Sequence, residues 1–386
     1  MTLDDDVRSE LASLEAEHRL RTPRIIDGPQ GPTVILDGVE VVNLSSNDYL
    51  SLAGDPRLAR AAHGALAEAG SGAGASRLIA GTQRWHVVLE QAMADWMRCG
   101  GVRLFNTGYA ANVGVMTTLV RAGDLVISDE LNHASIIDGC RLSKAEVVVV
   151  PHRDLVALEQ ALARAPGHPR ALVVTESLFS MDGDIADLGA IAALCRRFGA
   201  ALVVDEAHAI GAIGPEGRGL CAEAAVVPDV VIGTFGKALG SFGAFAATTQ
   251  PIAELLWNRA RPFVFSTALP PSVPASSLAA IEIVRGSEGL DRRRTLASHA
   301  RRFRELVPRA GGARESAIAP IRIGDDREVM RLTAQLLEAR VFVQGIRPPT
   351  VPEGTARLRV SFATGHTVQQ IDNAAVLLNN APRHVV

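Results

Sequence analysis

The chain has 386 residues, 47% apolar and 21% charged, enough to bury a full core and to form two domains more readily than one. A formal net charge of −3 argues against a nucleic acid or an acidic membrane as the main partner, since such binding leans on clustered positive charge, and leaves small molecules as the expected partners. Cys99, Cys140, Cys195 and Cys221 are widely spaced and form no Cys-x-x-Cys pair, so no metal site or disulfide framework is indicated and packing roles are expected.

The opening Met1-Thr2-Leu3-Asp4-Asp5-Asp6 is acidic where a secretory signal is basic and then apolar, and no apolar run approaches the ~18 residues of a membrane span, so a cytoplasmic location is expected. Val7, Leu11, Leu14 and His18 recur at helical spacing, which predicts a helix over the first twenty residues. Its apolar face is expected to pack on the body of the protein, with Arg19 and Arg21 at its end. Thr33-Val34-Ile35-Leu36 and Glu40-Val41-Val42-Asn43-Leu44 flank Asp37-Gly38, a hairpin signal. Residues 1–54 thus read as an opening segment of helix and hairpin.

Residues 55–288 alternate apolar strands with helical stretches. Ala171-Leu172-Val173-Val174-Thr175 is followed by the helical set Leu188, Ile191, Leu194, Cys195 and Phe198, then by Ala201-Leu202-Val203-Val204-Asp205. Repeats of this unit build a parallel sheet covered on both faces, and ligands bind beyond the carboxyl ends of such strands. Residues 289–386 read as a smaller α+β domain. It opens on a helix with Arg292, Arg293, Arg294, Arg301, Arg302 and Arg304, taken as a solvated face, and closes on a helix marked by Val368, Ile371, Ala375 and Leu378.

The turns after the strands carry the chemistry. Asp205-Glu206-Ala207-His208 also closes the magnesium-binding strand of some ATP-driven helicases, but those need a G-x-x-x-x-G-K-[ST] loop, and here Gly236-Lys237 is followed by Ala238. Lys237, between glycines after another apolar run, suggests instead pyridoxal 5'-phosphate held covalently. A pyridine ring withdraws electrons from an amino acid's α carbon while its nitrogen keeps a proton, and a buried carboxylate, Asp205, stabilises that charge. His208 can reach the ring hydroxyl, and Lys237, once displaced by the substrate amine, is a base. Asn106-Thr107-Gly108-Tyr109 opens a helical stretch whose N–H groups suit a phosphate. His133, after Leu125-Val126-Ile127-Ser128, could cover one face of the ring, and Ser180 supplies a hydroxyl at another strand end. Taken singly, the Gly108 stretch is more often just a strand-to-helix turn, a lone histidine such as His133 is usually structural, and Ser180 also reads as part of a plain turn.

Together the motifs resemble the α-oxoamine synthases, fold-type-I pyridoxal-phosphate enzymes that join an amino acid to an acyl-CoA and lose carbon dioxide. The likeness runs from about Leu11 to about Leu378. It includes Ser45-Ser46-Asn47-Asp48-Tyr49-Leu50, Phe179-Ser180-Met181-Asp182-Gly183-Asp184, Thr234-Phe235-Gly236-Lys237 and the stretch from Ile346 to Arg359. The resemblance implies an aspartate-aminotransferase-like α/β fold, with a mainly parallel central sheet in the large domain and a smaller α+β carboxyl-terminal domain. It implies that Lys237, His133, Asp205 and His208 are catalytic and that Gly108, Tyr109, Ser180 and Thr234 surround the cofactor. Arg359 and Asn47 would hold the amino-acid carboxylate, while Arg21, Arg347 and Thr350 would sit toward the acyl substrate; His133 would also meet substrate. It further implies a homodimer with shared sites, Ser266-Thr267 reaching the neighbour's phosphate and Gly70-Ser71-Gly72-Ala73-Gly74-Ala75-Ser76-Arg77 forming another boundary segment, although the latter also reads as a flexible loop. Gly240-Ser241-Phe242-Gly243-Ala244-Phe245 is bulkier than in many relatives.

Within that family, Ile346-Arg347-Pro348-Pro349-Thr350 favours the branch that condenses L-alanine with a pimeloyl thioester in biotin synthesis. Asp129-Glu130-Leu131-Asn132-His133-Ala134-Ser135-Ile136-Ile137-Asp138-Gly139 also resembles glycine-using members, and branches using glycine or serine with acetyl, succinyl or palmitoyl thioesters remain alternatives. So does a non-catalytic subunit on the same fold, against which the presence of Lys237 argues.

Overall fold

In the computed structural model, which describes residues 2–379, the first helix, Leu3–Ala16, starts on a capping box. The Thr2 hydroxyl accepts from the Asp5 N–H at 3.3 Å, and the Asp5 carboxylate accepts from the Thr2 N–H at 2.8 Å, so amide groups that lack a helical partner are met. The expected packing of its apolar side is not made: Leu3, Val7 and Leu11 are exposed and no residue of the helix is buried. Helical spacing reports an amphipathic face, and says nothing of what covers it. The helix also ends before Arg19, which pairs with Asp326 at 3.1 Å and Glu353 at 2.6 Å.

The chain then forms β1 (Ile26–Asp27), β2 (Thr33–Leu36) and β3 (Val39–Asn43), with β2 and β3 antiparallel. Asp37 and Gly38 at the turn have φ of 50° and 80°, the left-handed pair of a type I′ hairpin, which glycine adopts without a steric penalty. Val34, Leu36 and Val41 point to one apolar cluster, the alternation that a strand with one wet face needs.

Two compact units arise. Residues 2–51, Met181–Asp184 and residues 294–379 form the smaller, and Leu52–Ser180 with Ile185–Arg293 form the larger. Among the described residues, the larger unit carries β4 (Gly101–Phe105), β5 (Leu125–Asp129), β6 (Glu146–Val150), β7 (Ala171–Glu176), β8 (Ala201–Asp205), β9 (Val230–Thr234) and β10 (Ala244–Thr248) in one sheet. The spatial order is β4-β10-β9-β8-β7-β5-β6, and only β10 runs against the others. Val126, Ile127, Val203 and Val204 are fully buried, as unbroken apolar strands require when both faces are covered. The chain steps from β5 outward to β6 and then back to β7, so strand order reverses between β5 and β7. A crevice at the carboxyl ends of such a pair is where ligands of open parallel sheets sit.

In the smaller unit β11 (Ile318–Gly324), β12 (Val341–Phe342), β13 (Gln344–Ile346) and β14 (Ala356–Ser361) follow. β14 lies between β11 and β13, antiparallel to both, and β12 extends the amino-terminal hairpin by pairing in parallel with β3. In the closing helix Val368–Asn379, Ile371, Ala375 and Leu378 are buried while Val368 is exposed. The arginine run departs from a solvated face. Arg301 and Arg302 do form surface pairs with Glu315 and Asp372. Arg293, in the larger unit, is buried and donates to the Val284 carbonyl at 2.9 Å. Arg304 donates to the carbonyls of Gly311 (3.1 Å), Ser316 (3.0 Å) and Ile318 (2.7 Å), and burial pushes its pKa down to about 10. Charge count along a helix cannot separate arginines that meet water from those that meet backbone. Cys140, Cys195 and Cys221 are buried, Cys99 is half-buried, and none is bridged.

Candidate active site

β8 ends on Asp205, a buried carboxylate. Its Oδ1 accepts from the Ala207 N–H at 2.8 Å and its Oδ2 from Asn112 Nδ2 at 2.7 Å. His208 follows in the same turn, buried, with Nε2 2.8 Å from Lys237 Nζ. Lys237 lies in the turn after β9, where Thr234 accepts from the Gly236 N–H at 3.0 Å and donates to the Gly243 carbonyl at 2.9 Å. Gly240 closes this turn onto Lys237 O at φ 61°, and a Cβ there would lie 2.4 Å from the Ala53 nitrogen. Adjacent strands therefore present an anion, an imidazole and an amine side by side.

On the other side of the strand reversal, β5 leads to His133, which caps the helix Ala134–Ser143. Its Nδ1 accepts from the Ser135 N–H at 3.2 Å and lies 2.7 Å from Ser135 Oγ. The ring keeps an exposed side. Burial of the rest holds its pKa below the ordinary value, Asp205 pulls the other way, and the charge of Lys237 lowers it again. β7 ends at Glu176, paired in register with Asp205. Burial first, and the charge of Asp205 second, push the Glu176 carboxyl up to about 8, although Lys237 and the backbone N–H groups of His133 and Ser180 act against this. Its Oε1 is buried without a hydrogen bond. Ser180 is buried four residues further on. Glu206, the second letter of the helicase-like motif, is spent on structure: it accepts from Ser177 Oγ at 2.8 Å and from the N–H groups of Leu220 (2.9 Å) and Cys221 (2.5 Å).

Gly108 starts the helix Gly108–Leu119, whose cap is Thr107, accepting from the Ala110 N–H at 3.1 Å. The Tyr109 hydroxyl donates to Asp138. Thr267 is exposed; its backbone bridges to Ser76 and its carbonyl accepts from Asn106 Nδ2 at 2.9 Å, so the two expected boundary segments lie together beside the loop leading to Gly108.

In the smaller unit, buried Arg359 on β14 donates to Asn47 Oδ1 at 3.1 Å and to Ser361 Oγ at 2.9 Å. Two residues before it, Arg357 pairs with Asp182. Buried Arg347 donates to the His18 carbonyl, Arg21 donates to the Pro348 carbonyl at 3.2 Å, and the Thr350 N–H donates to the Arg347 carbonyl at 3.1 Å. Burial lowers the Arg347 pKa and the neighbouring Arg21 charge lowers it further, while the Asp326 carboxylate acts against both.

The sequence reading gave no role to Asn112, Ser135 or Glu176. Glu176 stands at a strand end, the signal that could have singled it out, whereas Asn112 lies inside a mostly apolar helix.

Residues 39–378 match the family model for aminotransferase class I and II. The 8-amino-7-oxononanoate synthase of Geobacter metallireducens is 47% identical over 374 residues, covering 96% of each chain. That of Anaeromyxobacter dehalogenans is 47% identical over 389 residues, covering 98% of this chain and 97% of its own. Among solved structures, the serine palmitoyltransferase of Sphingomonas wittichii matches with a TM-score of 0.90 at 34% identity, covering 98% of this chain and 96% of its own. The 8-amino-7-oxononanoate synthase of Francisella tularensis matches with a TM-score of 0.76 at 27% identity, covering 88% and 96%.

The side chains fit pyridoxal phosphate. Lys237 offers the amine that its aldehyde needs, Asp205 the anion that its ring nitrogen needs, and Gly108 a helix amino end where a Cβ would meet nothing within 4 Å, leaving room for a phosphate. The chain belongs to the aminotransferase class I and II family and has the fold-type-I architecture of pyridoxal-phosphate enzymes.

Proposed function

We propose that the protein is an acyltransferase that condenses L-alanine with a pimeloyl thioester, on coenzyme A or a carrier protein, releasing the thiol and carbon dioxide and giving 8-amino-7-oxononanoate for biotin synthesis. The observation that carries this reading is the convergence of Asp205, His208 and Lys237, with Lys237 Nζ 2.8 Å from His208 Nε2, in a chain 44–47% identical to 8-amino-7-oxononanoate synthases. Serine palmitoyltransferase chemistry is the second reading, favoured by the TM-score of 0.90 and disfavoured by the lower identity of 34%.

Bound pyridoxal phosphate supplies an electron sink for the α carbon of the amino acid. Lys237 would hold it, and its free amine would take the α proton and return one. Asp205 would keep the ring nitrogen protonated, and His208 would meet the ring hydroxyl. His133 would cover the ring, and Gly108, Tyr109, Ser180 and Thr234 would contact the ring or the phosphate. Arg359, steadied by Asn47, grips the carboxylate of alanine with a planar fork suited to it. Arg21 and Arg347, whose charges repel while Asp326 offsets part of the effect on Arg347, take the far carboxylate of the pimeloyl chain, with Thr350 beside them.

The working form in this reading is a cytoplasmic homodimer in which Thr267 reaches the neighbour's phosphate. No described helix is long and apolar enough to cross a membrane.

A panel of alanine, glycine and serine against pimeloyl, acetyl, succinyl and palmitoyl thioesters tests the assignment. Alanine with pimeloyl is expected to give the highest kcat/KM, and preference for serine with palmitoyl would overturn it. Lys237→Ala should lose turnover by at least about a hundredfold, the usual lower bound for removing a positioned base.

A further inference from the structure

We propose that Asn112 is a positioning residue of this site: its amide clamps the Asp205 carboxylate and, through Ser135, fixes which nitrogen of His133 carries the proton. The inference rests on the reading of Asp205 and His133 as cofactor contacts and adds to it a shared support.

The support is a chain of three hydrogen bonds. Asn112 Nδ2 lies 2.7 Å from Asp205 Oδ2 and 3.0 Å from Ser135 Oγ, and Ser135 Oγ lies 2.7 Å from His133 Nδ1. Its direction follows from chemistry. A carboxylate only accepts, so the amide nitrogen of Asn112 must face Asp205, and its second hydrogen is then aimed at Ser135. Ser135 Oγ accepts from Asn112, which leaves its own hydrogen available to His133. The Ser135 N–H also points at His133 Nδ1, at 3.2 Å. With two donors aimed at it, Nδ1 is the unprotonated nitrogen and the neutral ring carries its hydrogen on Nε2.

Two further observations point the same way. Asn112, Ser135 and Asp205 are buried, so no solvent competes for the two bonds that Asn112 makes. Asn112 Oδ1 is buried with no hydrogen bond at all. A side chain present for packing would not leave an amide oxygen unmet; one present for its two N–H donors would. The arrangement leaves Asp205 Oδ2 held from the Gly108–Leu119 helix and Oδ1 from its own turn, so the carboxylate is fixed at both oxygens.

The test compares the full-length wild type, Asn112→Ala and Ser135→Ala, each prepared with pyridoxal phosphate. Cofactor dissociation is followed by absorbance on dilution, and the His133 ring nitrogens by 15N NMR, with His133→Gln to assign the signals. Losing a hydrogen bond to a charged group should weaken cofactor retention in Asn112→Ala by about ten- to a hundredfold. Ser135→Ala, which leaves the Asp205 clamp intact, should change retention by less than about threefold, within the scatter of sites that do not interact. Both should shift the His133 signature partly away from Nε2–H alone, because the backbone N–H of residue 135 still meets Nδ1 in each variant. If either readout is unchanged in Asn112→Ala, the inference falls. Should that variant not fold, Asn112→Asp, of the same shape but without the N–H donors, is held to the same two outcomes. A wild type that takes up no pyridoxal phosphate would overturn the functional reading instead, while the His133 signals would still decide the link through Ser135.

Discussion

Glu176→Gln offers the sharpest physical test of the site. Glu176 is a carboxyl at the end of β7, buried, facing Asp205 across one sheet register and holding its proton up to about 8 instead of the ordinary 4.5. Between those values the unfolded chain has lost this proton and the folded chain keeps it. The folded state therefore binds more protons, and stability falls as pH rises through the window. At about 1.4 kcal/mol per pKa unit, the full gap corresponds to roughly 5 kcal/mol, fully present below pH 4.5 and lost above 8. Glutamine keeps the shape and is neutral at every pH, so it removes the slope. Glu206, whose pKa burial also raises, adds a decline of the same sign to both proteins and cancels in the comparison. Urea unfolding of the cofactor-free proteins, followed by tryptophan fluorescence in steps from pH 5 to pH 9, measures the difference. The wild type and variant should agree near pH 5, and the variant should be the more stable by a few kcal/mol at pH 9. Parallel curves across the range would refute the claim that Glu176 is protonated in the folded state.

Arg359→Ala should raise KM for alanine by about ten- to a hundredfold with a smaller effect on the thioester, and Arg347→Ala should do the reverse, since each removes a charge-assisted bond to a different carboxylate. Steady-state kinetics varying one substrate at a time checks this, and equal effects on both substrates would count against the division of labour. Gly240→Ala should cost about 1–3 kcal/mol, because φ of 61° and a Cβ 2.4 Å from the Ala53 nitrogen cannot both be relieved without moving the turn that carries Lys237. Thermal unfolding together with the visible absorbance of the bound cofactor measures it; an unshifted transition would mean that the turn relaxes freely.

Some of this architecture is written plainly along the chain. The run Leu202-Val203-Val204 before Asp205 and Val230-Val231-Ile232 before Lys237 mark strands buried on both faces, and a strand's carboxyl end is where its chemistry lies, so Asp205, His208 and Lys237 could be brought together on paper. Asp37-Gly38 announced its hairpin because few residue pairs tolerate two positive φ angles in succession. Asn112 was hidden for the opposite reason. Its role depends on meeting a carboxylate 93 positions away, and it sits in the mostly apolar helix Gly108–Leu119, where no polar stripe singles it out. Leu3, Val7 and Leu11 show the same limit from the other side: spacing makes the helix, but the surface that might cover it is a property of tertiary or quaternary structure.

Arg304 has a wider meaning for how the smaller unit is put together. From a single position on its helix it collects the carbonyls of Gly311, Ser316 and Ile318, so one guanidinium adds three ties to the path of residues 311–318, beside backbone bonds such as that from the Gly311 N–H to the Pro320 carbonyl. Buried Ser316 also meets the Ile318 N–H, while exposed side chains such as Arg314 and Glu315 are free to vary with the demands of the outer surface. The arginine itself is not: a lysine there would bring the charge without the flat, multi-pronged head, and three carbonyls would be left to share an ammonium that cannot span them.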